Sequence, residues 1–141
     1  MGVLSWFFGS RSQAQSAPAS GVFVSEQAFR ENLARQTAMS PQTVAELRKL
    51  GVTESAKLRL EFFFYASVEA NAQQLATALR DLGYQVEAKV AAGDSRLFVV
   101  TGWTSPIGMD DESVIQWTEK MVRLGYAHDS EFDGWGTNPQ Q

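Results

Sequence analysis

The chain has 141 residues, 44% of them hydrophobic and 20% charged, with a formal net charge of -4, one histidine and no cysteine. That length and composition suit a single globular domain and exclude disulfides, thiolate nucleophiles and cysteine-based zinc sites. The acidic balance argues against direct, sequence-independent binding of nucleic acid, which needs Lys and Arg to displace counterions, and no apolar run approaches the roughly 20 residues that span a bilayer.

Residues 1–21 read as an apolar foot, MGVLSWFF, on a flexible linker rich in Ser, Ala and Gln. No Lys or Arg precedes the apolar run, so the basic start of a secretory signal is missing. Trp6, Phe7 and Phe8 leave a weak peripheral membrane contact through residues 1–8 as the other use of such a foot. Residues 22–56 read as a helical extension made of two short helices. Ser25 caps the first, which runs to about Thr37 with Phe29 and Leu33 on one face. Ser40-Pro41 reads as the N-cap and first turn of the second, striped by Val44, Leu47 and Leu50 and stopped by Gly51.

From Leu58 the period changes to two: Leu58, Leu60, Phe62 and Phe64 alternate with Arg59, Glu61, Phe63 and Tyr65, which predicts a strand. Ser67 caps a helix striped by Val68, Ala72, Leu75, Leu79 and Leu82, and Gly83 ends it. Tyr84 to Val90 alternates as a second strand, and Ala92-Gly93-Asp94 leads into a third, from Arg96 to Trp103. Asp110, Asp111 and Glu112 place negative charge at the start of a helix carrying Val114, Trp117, Met121 and Leu124, ended by Gly125. Ala127 to Trp135 is the last strand, and residues 138–141 are a tail.

Leu82-Gly83-Tyr84 is echoed by Leu124-Gly125-Tyr126, so two βαβ units follow each other over residues 57–137. The expected class is α+β: a ferredoxin-like βαββαβ sandwich with antiparallel sheet order 4-1-3-2 and both helices on one face. The two N-terminal helices are expected to add core over the open face.

In this plan the C-terminal ends of the third and fourth strands share one edge, roughly 10 Å apart. Each ends in Gly-Trp, and the second helix starts nearby. Trp103, Asp110, Asp111, Glu112, Glu131, Asp133 and Trp135 are therefore the candidate binding residues. A Trp at a strand end serves either as a plug over the core's rim or as an interface anchor, and both readings stand. Asp129, Glu131 and Asp133 alternate along a strand, so they read as a solvated face, with an oxygen-ligand metal site as the lesser alternative. His128 has no Ser, Cys or second His motif beside it, and both phosphate-loop patterns are absent. No catalytic residue, metal ligand or cofactor is assigned. Phe63 and Tyr65 lie on the first strand's second face. Residues 57–141 carry seven Lys and Arg against twelve Asp and Glu, so that face is expected to be covered by the N-terminal helices or a dimer seam, and not to stack RNA.

Glu131 to Thr137 reads EFDGWGT. Together with Leu60 to Tyr65 and the stretch from Ala72 to Tyr84, it resembles the family of ribonuclease E inhibitors called regulator of ribonuclease E activity B, over roughly Val44 to Thr137. The resemblance implies an α+β sandwich related to the ferredoxin-like fold and a bacterial, cytoplasmic, non-catalytic protein. It also implies a protein partner, ribonuclease E, the endoribonuclease that starts bacterial mRNA decay. Two features depart from the family: the chain ends Asn138-Pro139-Gln140-Gln141 instead of in an acidic tail, and the apolar foot is an addition. The alternative is a domain of this fold with a different protein partner, or a homodimer through the open sheet face.

Overall fold

The structure is a computed structural model that describes residues 21–141 and the backbone of residues 6–8. The linker expected over residues 9–21 lies outside the described residues apart from Gly21, as do the side chains of the apolar foot. The backbone of Trp6–Phe8 forms a short strand, β1.

Ser25 opens helix α1 (Glu26–Lys49), its Oγ accepting the Ala28 N–H at 3.1 Å. The helix does not stop at Thr37. One 24-residue helix runs through Pro41 where two short ones were expected. Proline removes a backbone donor and disfavours helix at the residue before it. Ser40 is nevertheless buried and hydrogen-bonded to Thr118 and Trp135, and Val44 and Leu47 beyond it are in the core. Packing on both sides of Pro41 outweighs the one lost bond.

The run expected as a single strand from Leu58 divides at Arg59. β2 (Lys57–Leu58) pairs with β6 (Ile107–Gly108) in a small two-stranded sheet, while β3 (Leu60–Ala66) enters the main sheet. α2 (Glu69–Asp81) follows, with Val68 and not Ser67 at its N-cap and no side-chain cap bond. Gly83, at φ 88°, closes it in the left-handed conformation that glycine adopts without strain. β4 (Gln85–Val90) and β5 (Phe98–Trp103) form a hairpin. α3 (Asp111–Ala127) leads through Asp129, at φ 49°, into β7 (Ser130–Thr137).

α3 runs past Gly125, so the two Leu-Gly-Tyr sequences are not equivalent. Gly125 lies inside the helix, where a Cβ would sit 2.9 Å from Phe64 Cε1 and from the Ser130 carbonyl oxygen. It lets α3 approach the sheet.

The main sheet is five-stranded, in the order β1-β7-β3-β5-β4, with every neighbouring pair antiparallel. One face carries the main core: Phe62, Phe64, Phe132 and Trp135 pack with Leu75 and Leu79 of α2 and with Trp117 and Met121 of α3. α1 packs against α3 and adds Val44 and Leu47 to this same core; only its first turn, through Ala28 and Phe29, reaches the opposite face. That face holds a smaller cluster of Phe23, Val24, Ala91, Leu97 and Val99, against which Phe63 and Tyr65 are partly buried. The covering segment is the lead into α1, held by Asp129, whose carboxylate accepts the N–H groups of Phe23 at 2.9 Å and Val24 at 2.8 Å.

The β3–β7 register shifts between Phe63 and Phe64: Phe64 faces Phe132, whereas Phe63 faces Gly134. Asp133 is thus the extra residue of a β-bulge. The bulge turns Phe132 and Trp135, three positions apart, onto the same core face. Gly134 takes φ 130°, a conformation few other residues adopt.

Candidate functional site

The EFDGWGT segment is buried from Glu131 to Thr137. Trp135 is 2% exposed, with its ring edge-to-face against Trp117 at 6.1 Å. Its Nε1–H donates to Ser40 Oγ at 3.1 Å. Ser40 Oγ lies 2.6 Å from Thr118 Oγ1, which donates to the Val114 carbonyl at 2.7 Å. Three buried polar groups are thereby satisfied in one directed chain, ending on a helix carbonyl. Of the two readings of Trp135, the plug describes its place and the exposed anchor does not.

The bulge also breaks the expected alternation of carboxylates. Asp129 precedes the strand and binds backbone N–H groups, Glu131 sits opposite Tyr65, and Asp133 occupies the bulge. Glu131 and Asp133 are 3% and 5% exposed, so the row is not a solvated face. Among the described residues no group of three or more His, Cys, Asp or Glu side chains is placed to hold a metal. His128 is the C-cap residue of α3.

Trp103 lies across from Glu61 of β3, and Glu61's other neighbour is Gly136. The strand ends therefore do share an edge, but their tryptophans separate: Trp135 follows Phe62 to the core face, and Trp103 follows Glu61 to the opposite one. Trp103 lines a groove of about 240 Å³ with Arg59, Gln85, Asn138 and Gln141. Arg59 is fixed there by its Nε bond to the Thr104 carbonyl at 3.1 Å and by Gln141, which bonds both its N–H and its carbonyl.

At the start of α3 the three carboxylates divide by role. Asp110 is the N-cap, accepting the Ser113 N–H at 3.0 Å. Its carboxyl is held below the ordinary range by the hydrogen bonds from Ser113, with a smaller contribution from the charge of Arg48. Asp111 and Glu112 are exposed and make no ion pair among the described residues. Asp111 and Glu54 line a groove of about 270 Å³ with Arg48, over Pro41, Val44 and Ala45. Arg48 is engaged there by the carbonyls of Met109 at 2.6 Å and Val52 at 3.3 Å. Glu54 escaped the sequence reading because it lies in a turn, outside any periodic pattern.

A second feature was hidden by the helical stripe. Leu82, the last position of the apolar stripe, is 37% exposed and lines a groove of about 510 Å³ between α2 and α3 with Ala78, Leu124 and a rim that includes Glu119, Lys120 and Arg123. No helix among the described residues is long and apolar enough to cross a membrane.

These features define a class: an antiparallel α/β sandwich whose distinctive motif builds its core and whose exposed carboxylates face outward around the start of α3. The family model for regulator of ribonuclease activity B matches residues 37–137, from the middle of α1 to the end of β7. The chain belongs to that family, whose members regulate ribonuclease activity. No curated protein matches the chain in sequence.

Proposed function

We propose that the protein is a non-catalytic module of ferredoxin-like type that binds an endoribonuclease of the ribonuclease E kind in the cytoplasm and lowers its activity. The observation that carries this reading is the family match across 37–137. The series β3-α2-β4-β5-α3-β7, interrupted only by the two-residue β6, supports the fold assignment. Docking is proposed through the acidic end of the helical layer, where Asp111, Glu112 and Glu54 would meet a basic segment of the nuclease over the apolar floor of Pro41, Val44 and Ala45. Trp103 is the remaining aromatic contact proposed, on the sheet's other face. Opposite charge would speed encounter, and the apolar floor would hold the complex.

The test is cleavage of a defined RNA by ribonuclease E with and without the protein, beside co-sedimentation of the pair. Inhibition that weakens as salt rises, and weakens further in Asp111→Lys/Glu112→Lys, is the expected result. Both positions are exposed but lie in the first turn of α3, so reversing them also costs about 1–2 kcal/mol of helix-dipole stabilisation, and inhibition is compared where both proteins are fully folded. Undiminished cleavage with no complex would refute nuclease binding; inhibition indifferent to the variant would refute the docking surface.

A further inference from the structure

The two edges of the main sheet are finished differently. On one side the short outer strand β1 pairs with β7 over Trp135–Thr137, and beyond it Asn32 and Gln36 cover β7, their amides donating to the Phe132 carbonyl at 2.8 and 3.5 Å. β4 pairs with β5 alone among the described residues. Ala91 donates its N–H to the Leu97 carbonyl at 2.9 Å, so antiparallel alternation turns the backbone groups of Lys89, Glu87 and Gln85 toward β5. Those of Val86, Ala88 and Val90 then point outward. Arg80 Nη2 reaches the Val86 carbonyl at 3.2 Å, in agreement with that direction. An open row of backbone groups is a template for another strand unless the sequence blocks it.

This edge reads Val86-Glu87-Ala88-Lys89-Val90, with opposite charges placed symmetrically about Ala88. Glu87 and Lys89, with side chains 63% and 60% exposed, pair with each other along the strand at 3.2 Å, a solvent-exposed contact that each can exchange for one across the edge, and Val90 is 53% exposed.

We propose that β4 is a self-association edge: a second copy of the chain adds antiparallel about a two-fold axis at Ala88 and joins the two sheets into one. In that register Val86 meets Val90 of the partner subunit, Ala88 meets its own counterpart, and Glu87 meets Lys89 of the partner subunit, twice over. Outward backbones face outward backbones, so Val86, Ala88 and Val90 each exchange both bonds with their mates. The Glu–Lys pairs fall at the non-hydrogen-bonded positions, where side chains approach most closely. A register changed by one residue would set outward backbones against inward ones. The next permitted registers on either side put Glu87 against Glu87 or Lys89 against Lys89, and like charges directly opposite are unfavourable. The edge thus selects one register and one partner. The contact is isologous, as a two-fold dimer requires, and smaller than a standard interface, so the dimer should form and dissociate with concentration.

Sedimentation velocity of the full chain over a wide concentration range should show a monomer–dimer equilibrium. Lys89→Glu and Glu87→Lys each create two like-charge pairs and should weaken the dimer about tenfold. The double variant Glu87→Lys/Lys89→Glu restores both pairs and should return to within about threefold of the parent. Amide exchange followed by NMR should show Val86, Ala88 and Val90 gaining protection as concentration rises, while Glu87 and Lys89 do not change. A chain that stays monomeric throughout would overturn the proposal. So would a dimer indifferent to the single substitutions, or one the double variant fails to recover.

Discussion

Ser40→Ala isolates the buried relay that ties α1 to α3 and β7. Ser40 is 1% exposed, Thr118 0% and Trp135 2%, so solvent does not replace the lost hydroxyl. The substitution leaves the Trp135 indole N–H buried without its acceptor, which costs about 1–3 kcal/mol. Alanine's better helix propensity returns a few tenths of a kcal/mol. The net loss should be about 2 kcal/mol, which for a domain of this size lowers Tm by roughly 8 °C. Trp135→Phe removes the donor together with part of the packed ring and should cost about 1–3 kcal/mol by itself. In the double variant the stranded donor no longer exists, so the Ser40 penalty should shrink by about 1 kcal/mol or more. Urea unfolding followed by far-UV circular dichroism gives all four free energies. Additivity within about 0.5 kcal/mol would show that the two side chains do not act on each other, and the relay would be wrong.

The glycines make a second contrast. A Cβ at Gly102 would overlap the Gln85 carbonyl oxygen across the β4–β5 pair, whereas one at Gly93 meets nothing within 4 Å. Gly102→Ala should therefore lower the urea midpoint clearly and Gly93→Ala barely; equal effects would contradict the register. Asp129→Ala removes the carboxylate that anchors Phe23 and Val24, at a cost of about 2 kcal/mol. It should open a protease site near Gly21–Ser25, and unchanged resistance would refute the anchor. Tyr84 is held above the ordinary tyrosine range by burial, against the opposing bond from Trp117 Nε1. Because the folded value is the higher one, its contribution is complete below the unfolded value of about 10 and is lost as pH rises through the folded value. Tyr84→Phe should flatten the alkaline limb of the stability curve, and parallel limbs in the two proteins would refute that origin.

The main-sheet strands from Leu60 onward, α2 and α3 were legible because their apolar residues repeat at two or at three to four positions, and Gly83 and Asp110 mark a helix end and a helix start; the two-residue β6 is too short to show a period and was missed. What escaped was set by contacts distant in sequence. Pro41 reads locally as a helix start, and only the burial of Ser40 against Thr118 and Trp135 carries α1 through it. A bulge at Asp133 is invisible to a period-two pattern, so Glu131 and Asp133 were placed on one solvated face when both are buried. Leu82 sits in a correct stripe but over the gap between α2 and α3, where nothing covers it among the described residues. The candidate site was read as one constellation. Only Asp111 and Glu112 face solvent with charge unpaired among the described residues, and Trp103 shares its edge with Trp135 but not its face.

The segment that most resembles the family is thus the one least able to touch a partner. Asp133 supplies the bulge, Gly134 the conformation that follows it, and Trp135 the ring that closes the core against Trp117 and Ser40. In this chain these residues build β7 and its seat on the core, a role in folding and not in recognition. Partner choice has to be carried by side chains that can change without disturbing that strand. Asp111, Glu112 and Glu54 meet this condition at one end of the helical layer, and Glu87 and Lys89 meet it on the open edge of β4. The two surfaces lie on different elements, α3 with the turn after α1 in one case and β4 in the other. Nuclease binding and self-association should therefore respond to separate substitutions: Lys89→Glu should leave inhibition by the monomer intact, and Asp111→Lys/Glu112→Lys should leave the dimer equilibrium unchanged.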